Sequence, residues 1–298
     1  KAQVFGARLL STLFLWAMVT GVFISGNVWA FIGLMTLLGL LGVWEYFQMT
    51  RKSGMPSQPK WGLLVSASYL VVLGLMLGND GQDALGSLFQ VDVAFVIVLV
   101  MGGFVCQFRR PVDGRKTITE VAVTALGFVY VAVLFSFLLR LLFVPELFLP
   151  ENSDPASGAW LVIWLVAVTK FADMGAYITG SLIGKHKMIP HISPGKTWQG
   201  FGGGLVFSQL AGCGLFAMMP EKLIIFEQLG GWGWVIVLSL LLSLLAIAGD
   251  LAESVLKRSM GVKDSGKTLP GIGGALDLID SLCFTAPVLY FFLIWMPR

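Results

Sequence analysis

Charge is what this sequence has least of. Asp, Glu, Lys and Arg together make up 12% of the chain, about half the share of an ordinary soluble domain. Cysteine is scarce too. Cys106, Cys213 and Cys283 all fall inside apolar runs, without metal-ligand spacing, and read as small core residues that say nothing about redox compartment. The two histidines, His186 and His191, sit in a loop at no metal spacing and read as solvated. No polar stretch is long enough for a soluble domain, and neither a low-complexity tract nor a convincing internal repeat is present. What fills the sequence is apolar: 56% of residues, with a mean hydropathy of +0.83. The apolar residues come in runs of roughly 17–24, long enough to cross about 30 Å of hydrocarbon as helices.

The reading is therefore an all-α, polytopic membrane protein. Nine transmembrane helices are predicted, at about 9–25, 28–48, 61–78, 92–108, 120–139, 158–179, 201–219, 232–252 and 278–296. Gly26-Asn27 marks a tight turn, and Gly78-Asn79-Asp80-Gly81 marks another. The chain starts at Lys1 without Met, as a processed or engineered start would. The first run has the length of a span and lacks a clear cleavage site, so a cleavable signal peptide is not expected. Residues 1–150 would form five N-terminal spans and 151–298 four C-terminal spans carrying the site, in one integrated membrane domain.

Lys and Arg gather on alternate loops, among them Arg51 with Lys60, Arg109 with Arg110, Lys185 with Lys196, and Lys257 with Lys263. By the positive-inside rule these loops are cytoplasmic, with the N-terminus inside and the C-terminus outside. The net charge of +3 then reflects orientation and does not call for a nucleic acid partner.

The remaining polar residues concentrate in the C-terminal half. Lys170, Asp173 and Tyr177 share a helix face, by spacings of three and four; alone they read equally well as an internal ion pair. Ser193-Pro194-Gly195-Lys196-Thr197 is a turn whose Lys196 and Thr197 supply donors suited to a phosphate, though basic inner loops are expected in any case. Gly200, Gly204, Ser208 and Gly212 recur every fourth residue and read as close helix packing. Asp250, Glu253, Ser254 and Lys257 share the face at the end of one span. Asp250 lies at membrane depth, where an aspartate is costly unless it meets a metal or a lysine. Asp277 and Asp280 stand one turn apart at the start of the last span. Asp250, Asp277 and Asp280 converging at the cytoplasmic edge would make a divalent site suited to Mg2+, with Lys257, Arg258, Lys263 and Lys267 placed for a polyphosphate. Acids, cations and a glycine-rich turn together suggest phosphoryl or nucleotidyl transfer.

One pattern misleads. Gly261 to Thr268 matches the Walker A spacing letter for letter. A P-loop needs a buried strand before it and a helix after it, whereas here a membrane helix precedes and Leu269-Pro270-Gly271 follows.

With these residues in place, the sequence resembles the phosphatidate cytidylyltransferase (CDP-diacylglycerol synthase) family. Ser254, Lys257, Arg258, Lys263, Asp264, Leu269, Pro270, Gly273, Gly274, Asp277 and Asp280 match its final signature. Asp173-Met-Gly-Ala-Tyr177, Ile192 to Trp198 and Trp44-Glu45-Tyr46 resemble other family blocks. The resemblance implies that CTP and phosphatidic acid give CDP-diacylglycerol and pyrophosphate with Mg2+, at the cytoplasmic face of the cell membrane; a homodimer is left open. It implies that Asp250, Asp277 and Asp280 hold metal and act in catalysis with Lys257. Lys196, Lys257, Arg258 and Lys263 would hold phosphates, and Asp173 and Asp264 would bind or orient substrate. Tyr177, Ser193, Thr197, Ser254, Gly273 and Gly274 complete the substrate-binding set.

The sequence also departs from the family pattern, which has His at Ile272, Arg at Leu278, a basic residue near Ser181 and a larger apolar residue at Ala275. Ile and Leu cannot donate to phosphate, so a divergent member is expected, with weaker turnover or a different anionic lipid. The alternatives are a CTP-dependent lipid kinase of the polyprenol type and a catalytically decayed paralogue with a structural role.

Overall fold

The computed structural model of the chain describes residues 21–22, 25–108, 111–148, 157–266, 268 and 273–296. The predicted span 9–25 lies almost wholly outside them, as do Arg109, Arg110, Lys267, Leu269, Pro270, Gly271 and Ile272.

The described residues are mostly helical. The long helices are α1 (Val28–Lys52), α2 (Pro59–Asp80), α3 (Leu88–Val105), α4 (Gly114–Leu141), α5 (Ser157–Ile183) and α6 (Trp198–Met218). After the short α7 (Ile224–Leu229) come α8 (Trp232–Ser259) and α9 (Ala275–Trp295). Eight of these, all but α7, are long and apolar enough to cross a membrane. They coincide with the last eight predicted spans, and the protein is a multi-pass helical membrane protein. A two-stranded antiparallel hairpin, β1 (Lys187–Ile189) and β2 (Ser193–Thr197), joins α5 to α6.

Local chemistry explains the element ends. Gly26 takes φ +59°, and Asn27 Oδ1 accepts from Trp29 N at 2.9 Å to cap α1. At the other predicted turn, α2 runs on to Asp80 and stops at Gly81, whose φ of +55° a side chain would resist. Helix α4 contains a π-helical stretch over Phe128–Val133. Helix α3 is apolar yet only 17% buried. In water such a face would be a liability; against lipid tails it is the expected solution.

The chain divides into two compact units. Among the described residues, those up to 139 with those in 257–279 form the first, and those in 140–256 with those from 280 on form the second. The first has its core at Tyr46, Tyr69, Leu70, Leu73, Phe128 and Phe135, all fully or almost fully buried. Tyr46 donates its hydroxyl to Val123 O at 2.7 Å, which gives its polar end a partner in an apolar interior. The second is centred on Trp164, which packs on Phe226 at 4.5 Å between ring centroids and donates its indole N–H to Gly212 O at 3.1 Å. Here α5 lies close against α6. A Cβ at Gly200 would stand 2.7 Å from Ala176 O, and one at Gly204 2.9 Å from Ala172 O. The four-residue glycine repeat is thus a packing seam.

Candidate active site

In the second unit, three helices and the hairpin bring acids and lysines together. Helix α8 carries Asp250 and Glu253 one turn apart, and α9 carries Asp280. Carboxylate oxygens of all three lie within 4.8 Å of one another. Gly249 makes this approach possible: a Cβ there would sit 3.0 Å from both Asp280 O and Ser281 Cα. Like charges this close repel by about 3 kcal/mol per pair at an effective dielectric near 20, so the group calls for cations.

Two lysines answer it. The hairpin carries Lys196, whose Nζ is 2.9 Å from Asp250 Oδ2. Helix α5 carries Lys170, whose Nζ is 3.3 Å from Asp173 Oδ2 and 4.0 Å from Asp280 Oδ1. Ser281 ties the acids together: its hydroxyl donates to Asp173 Oδ2 at 3.3 Å, and its N–H donates to Asp280 Oδ1 at 2.6 Å. The carboxylate of Asp280 is nearly buried, while that of Asp250 is 37% exposed. Asp250 opens onto a cavity of about 450 Å³, which Asp173, Tyr177, Ser193, Lys196 and Phe201 also line. Ser181 lines the same cavity with its hydroxyl turned back onto Ile178 O at 2.9 Å. Tyr177 is 77% exposed.

Thr197, counted among the phosphate donors from sequence, is 3% exposed. Its hydroxyl accepts from Gly200 N at 3.1 Å, which makes it the N-cap of α6. Ser254 is buried on α8.

The first unit holds the glycine-rich loop. Lys257 Nζ is 2.8 Å from Asp277 Oδ1, and Asp277 Oδ2 accepts from Gly274 N at 2.9 Å. The latter is the reciprocal half of a capping box at the start of α9. Asp277, grouped from sequence with Asp250 and Asp280, is held in this way, and the third carboxylate of the 4.8 Å group is Glu253. Each glycine of the Gly273-Gly274 pair has its own reason. Gly273 adopts φ +124°, and a Cβ at Gly274 would run into Ser265 Oγ and the Glu45 carboxylate. Arg258 donates to Val262 O at 3.4 Å, while Lys263 and Asp264 are exposed on the loop. Thr268, the last residue of the Walker-like run, gives its hydroxyl to Glu45. Leu278 is half-buried on α9.

Ser281 carries no signal in the sequence, and two residues named there without a role of their own stand out in the structure. Glu253 had a signal, since it lies three residues from Asp250 on the same helix face. Glu45 had only its place in a Trp-Glu-Tyr block.

Acids, lysines and a hydroxyl thus converge beside a cavity in a helical membrane protein. The sequence model described as "Cytidylyltransferase family" matches residues 6–296. This chain belongs to that family and is a nucleotidyltransferase by class. A phosphatidate cytidylyltransferase of Synechocystis sp. is 31% identical over 311 residues, covering 96% of both chains. One from Staphylococcus saprophyticus is 35% identical over 223 residues, covering 74% of this chain and 77% of its own. An Escherichia coli protein named "Uncharacterized protein YnbB" is 29% identical over 273 residues, covering 91% of this chain and 81% of its own.

Proposed function

We propose that this protein converts CTP and phosphatidate, or a related anionic phospholipid, to CDP-diacylglycerol and pyrophosphate, at the cytoplasmic face of the cell membrane. The observation that carries the reading is the meeting of Asp250, Glu253 and Asp280 with Lys196 beside an open cavity. The names of the Synechocystis and Staphylococcus relatives point to the same reaction. The Lys- and Arg-rich loops that flank these residues support the cytoplasmic side.

In the reaction, an oxygen of the lipid phosphate attacks the α-phosphorus of CTP. The bond from that phosphorus to the oxygen bridging toward the β-phosphate breaks, and pyrophosphate leaves with the bridging oxygen. A phosphomonoester has a second pKa near 6 and is largely a dianion at neutral pH, so the nucleophile needs little help with its proton. The barrier is repulsion between two anions, which fixed positive charge relieves.

The donor set fits Mg2+, because three carboxylates offer hard oxygens at mutual distances under 4.8 Å. Asp250, Glu253 and Asp280 would hold the ion, which when bound neutralises phosphate charge. Lys170 orients Asp173 and Asp280. Lys196 reaches from Asp250 to phosphate. In the first unit, Lys257, held by Asp277, is with Arg258 and Lys263 suited to binding phosphates, and Asp264 to orienting substrate. Asp173, Tyr177 and Ser193 line the cavity for the lipid headgroup or the cytidine.

The test is purified protein with labelled CTP, magnesium and phosphatidate. The expected products are CDP-lipid and pyrophosphate in equal amounts. CDP released with a newly phosphorylated lipid would overturn the reading in favour of a kinase, and intact CTP would point to a decayed site.

A further inference from the structure

Glu45 is the only acidic residue of α1, sits in an otherwise apolar stretch, and is fully buried. The proposed reaction gives it no role. Its carboxylate accepts from Leu276 N at 2.9 Å, from Ser265 Oγ at 3.4 Å and from the Thr268 hydroxyl. Thr268 Oγ1 in turn accepts from Ala275 N at 3.3 Å. With Asp277 capping Gly274 N, the amides of residues 274, 275 and 276 each meet a side chain. The first amides of a helix have no partner within the helix. Here part of that need is met by an acid from α1, more than two hundred residues away in sequence.

The surrounding glycines make room for this one carboxylate. A Cβ at Gly266 would collide with Glu45 Oε1, and one at Gly274 would collide with Glu45 and Ser265. Residues 265, 266, 268, 274 and 276 therefore all close around Glu45. Asp277 is the residue after Leu276, and it holds Lys257 at 2.8 Å.

We infer that Glu45 is a positioning residue: it clamps Ser265, Gly266 and Thr268 to the start of α9 and so sets Lys257, Arg258 and Lys263 for the phosphates of the nucleotide. This rests on the cytidylyltransferase reading for its consequence, though not for its geometry. Glutamine at position 45 keeps the volume but leaves one acceptor oxygen for three donors, and it adds an N–H2 that faces them. The loop should loosen while the helices stay. Misplacement at this scale costs about ten- to a hundredfold in rate or affinity.

The test compares wild type with Glu45→Gln in the full-length protein in lipid or detergent. Deuterium exchange across residues 261–277 should speed up, with α5 and α6 unchanged. The KM for CTP should rise about tenfold or more, with the KM for phosphatidate unchanged. Gly266→Ala, which crowds the carboxylate while keeping it, is the second variant should Glu45→Gln fold poorly, and it should give the same CTP shift. A merely structural role would lower the active fraction, so kcat would fall with both KM values constant; that result overturns the inference. Unchanged exchange at 261–277 in both variants also overturns it. An inactive wild type would sink the cytidylyltransferase reading, while the exchange comparison would still judge the clamp.

Discussion

Glu45 and Asp250 are both acids in long apolar helices, and the chain treats them in opposite ways. Glu45 is closed off, and its partners are a backbone N–H and hydroxyls that cannot leave. Asp250 is 37% exposed beside a cavity, and its partner is the ammonium of a lysine on a short hairpin. A carboxylate bound by backbone and hydroxyl donors fixes a shape. A carboxylate bound by a lysine ammonium can exchange that cation for another, as a site holding metal and phosphates would have to. An acid in an apolar helix of this protein can therefore serve two ends, and its exposure and partner distinguish them.

The sharpest way to break this contrast is at the exchangeable centre. Asp280→Asn removes one charge from the 4.8 Å group and should cut turnover about 10³-fold. Turnover within a few-fold of wild type, measured as pyrophosphate release, would show that the group is not catalytic. Lys196→Met comes next, with an expected loss of about 10²-fold. The CTP dependence should bear most of it if the lysine exchanges between Asp250 and phosphate. Gly249→Ala probes the approach of α8 to α9 without touching a charge. Its Cβ would meet Asp280 O at 3.0 Å, and a shift of a few tenths of an ångström should lower the rate about tenfold. The mildest change is a gain. Ile272→His with Leu278→Arg installs two side chains able to donate to phosphate and should raise turnover several-fold; an unchanged rate would mean that these positions are not limiting.

The membrane spans were legible because hydropathy is a local property: α1 to α6, α8 and α9 lie where the apolar runs put them. The seam of Gly200, Gly204 and Gly212 was legible for a similar reason, since helical spacing alone puts small residues on one face. The partner of Asp250 was partly legible. Its depth in the membrane demanded a cation, and Lys196 stands there, but nothing in the spacing pointed to that lysine over others. Glu253 shares the face of Asp250 by spacing, yet Asp277 and Asp280 make a more conspicuous pair in the sequence. Only coordinates could show that Asp277 turns to Lys257 and Gly274. Glu45 was least legible. One acid in a helix carries no periodicity, and its donors come from residues more than two hundred positions later.

The central claim is that Asp250, Glu253 and Asp280 together hold a divalent ion that meets the nucleotide. Titration of the purified protein with Mn2+ in the presence of CTP, followed by electron paramagnetic resonance of the free ion, tests it directly. Wild type should bind Mn2+ at least about tenfold more tightly than Asp280→Asn, with the two proteins melting at the same temperature. Overlapping binding curves for the two would contradict the account.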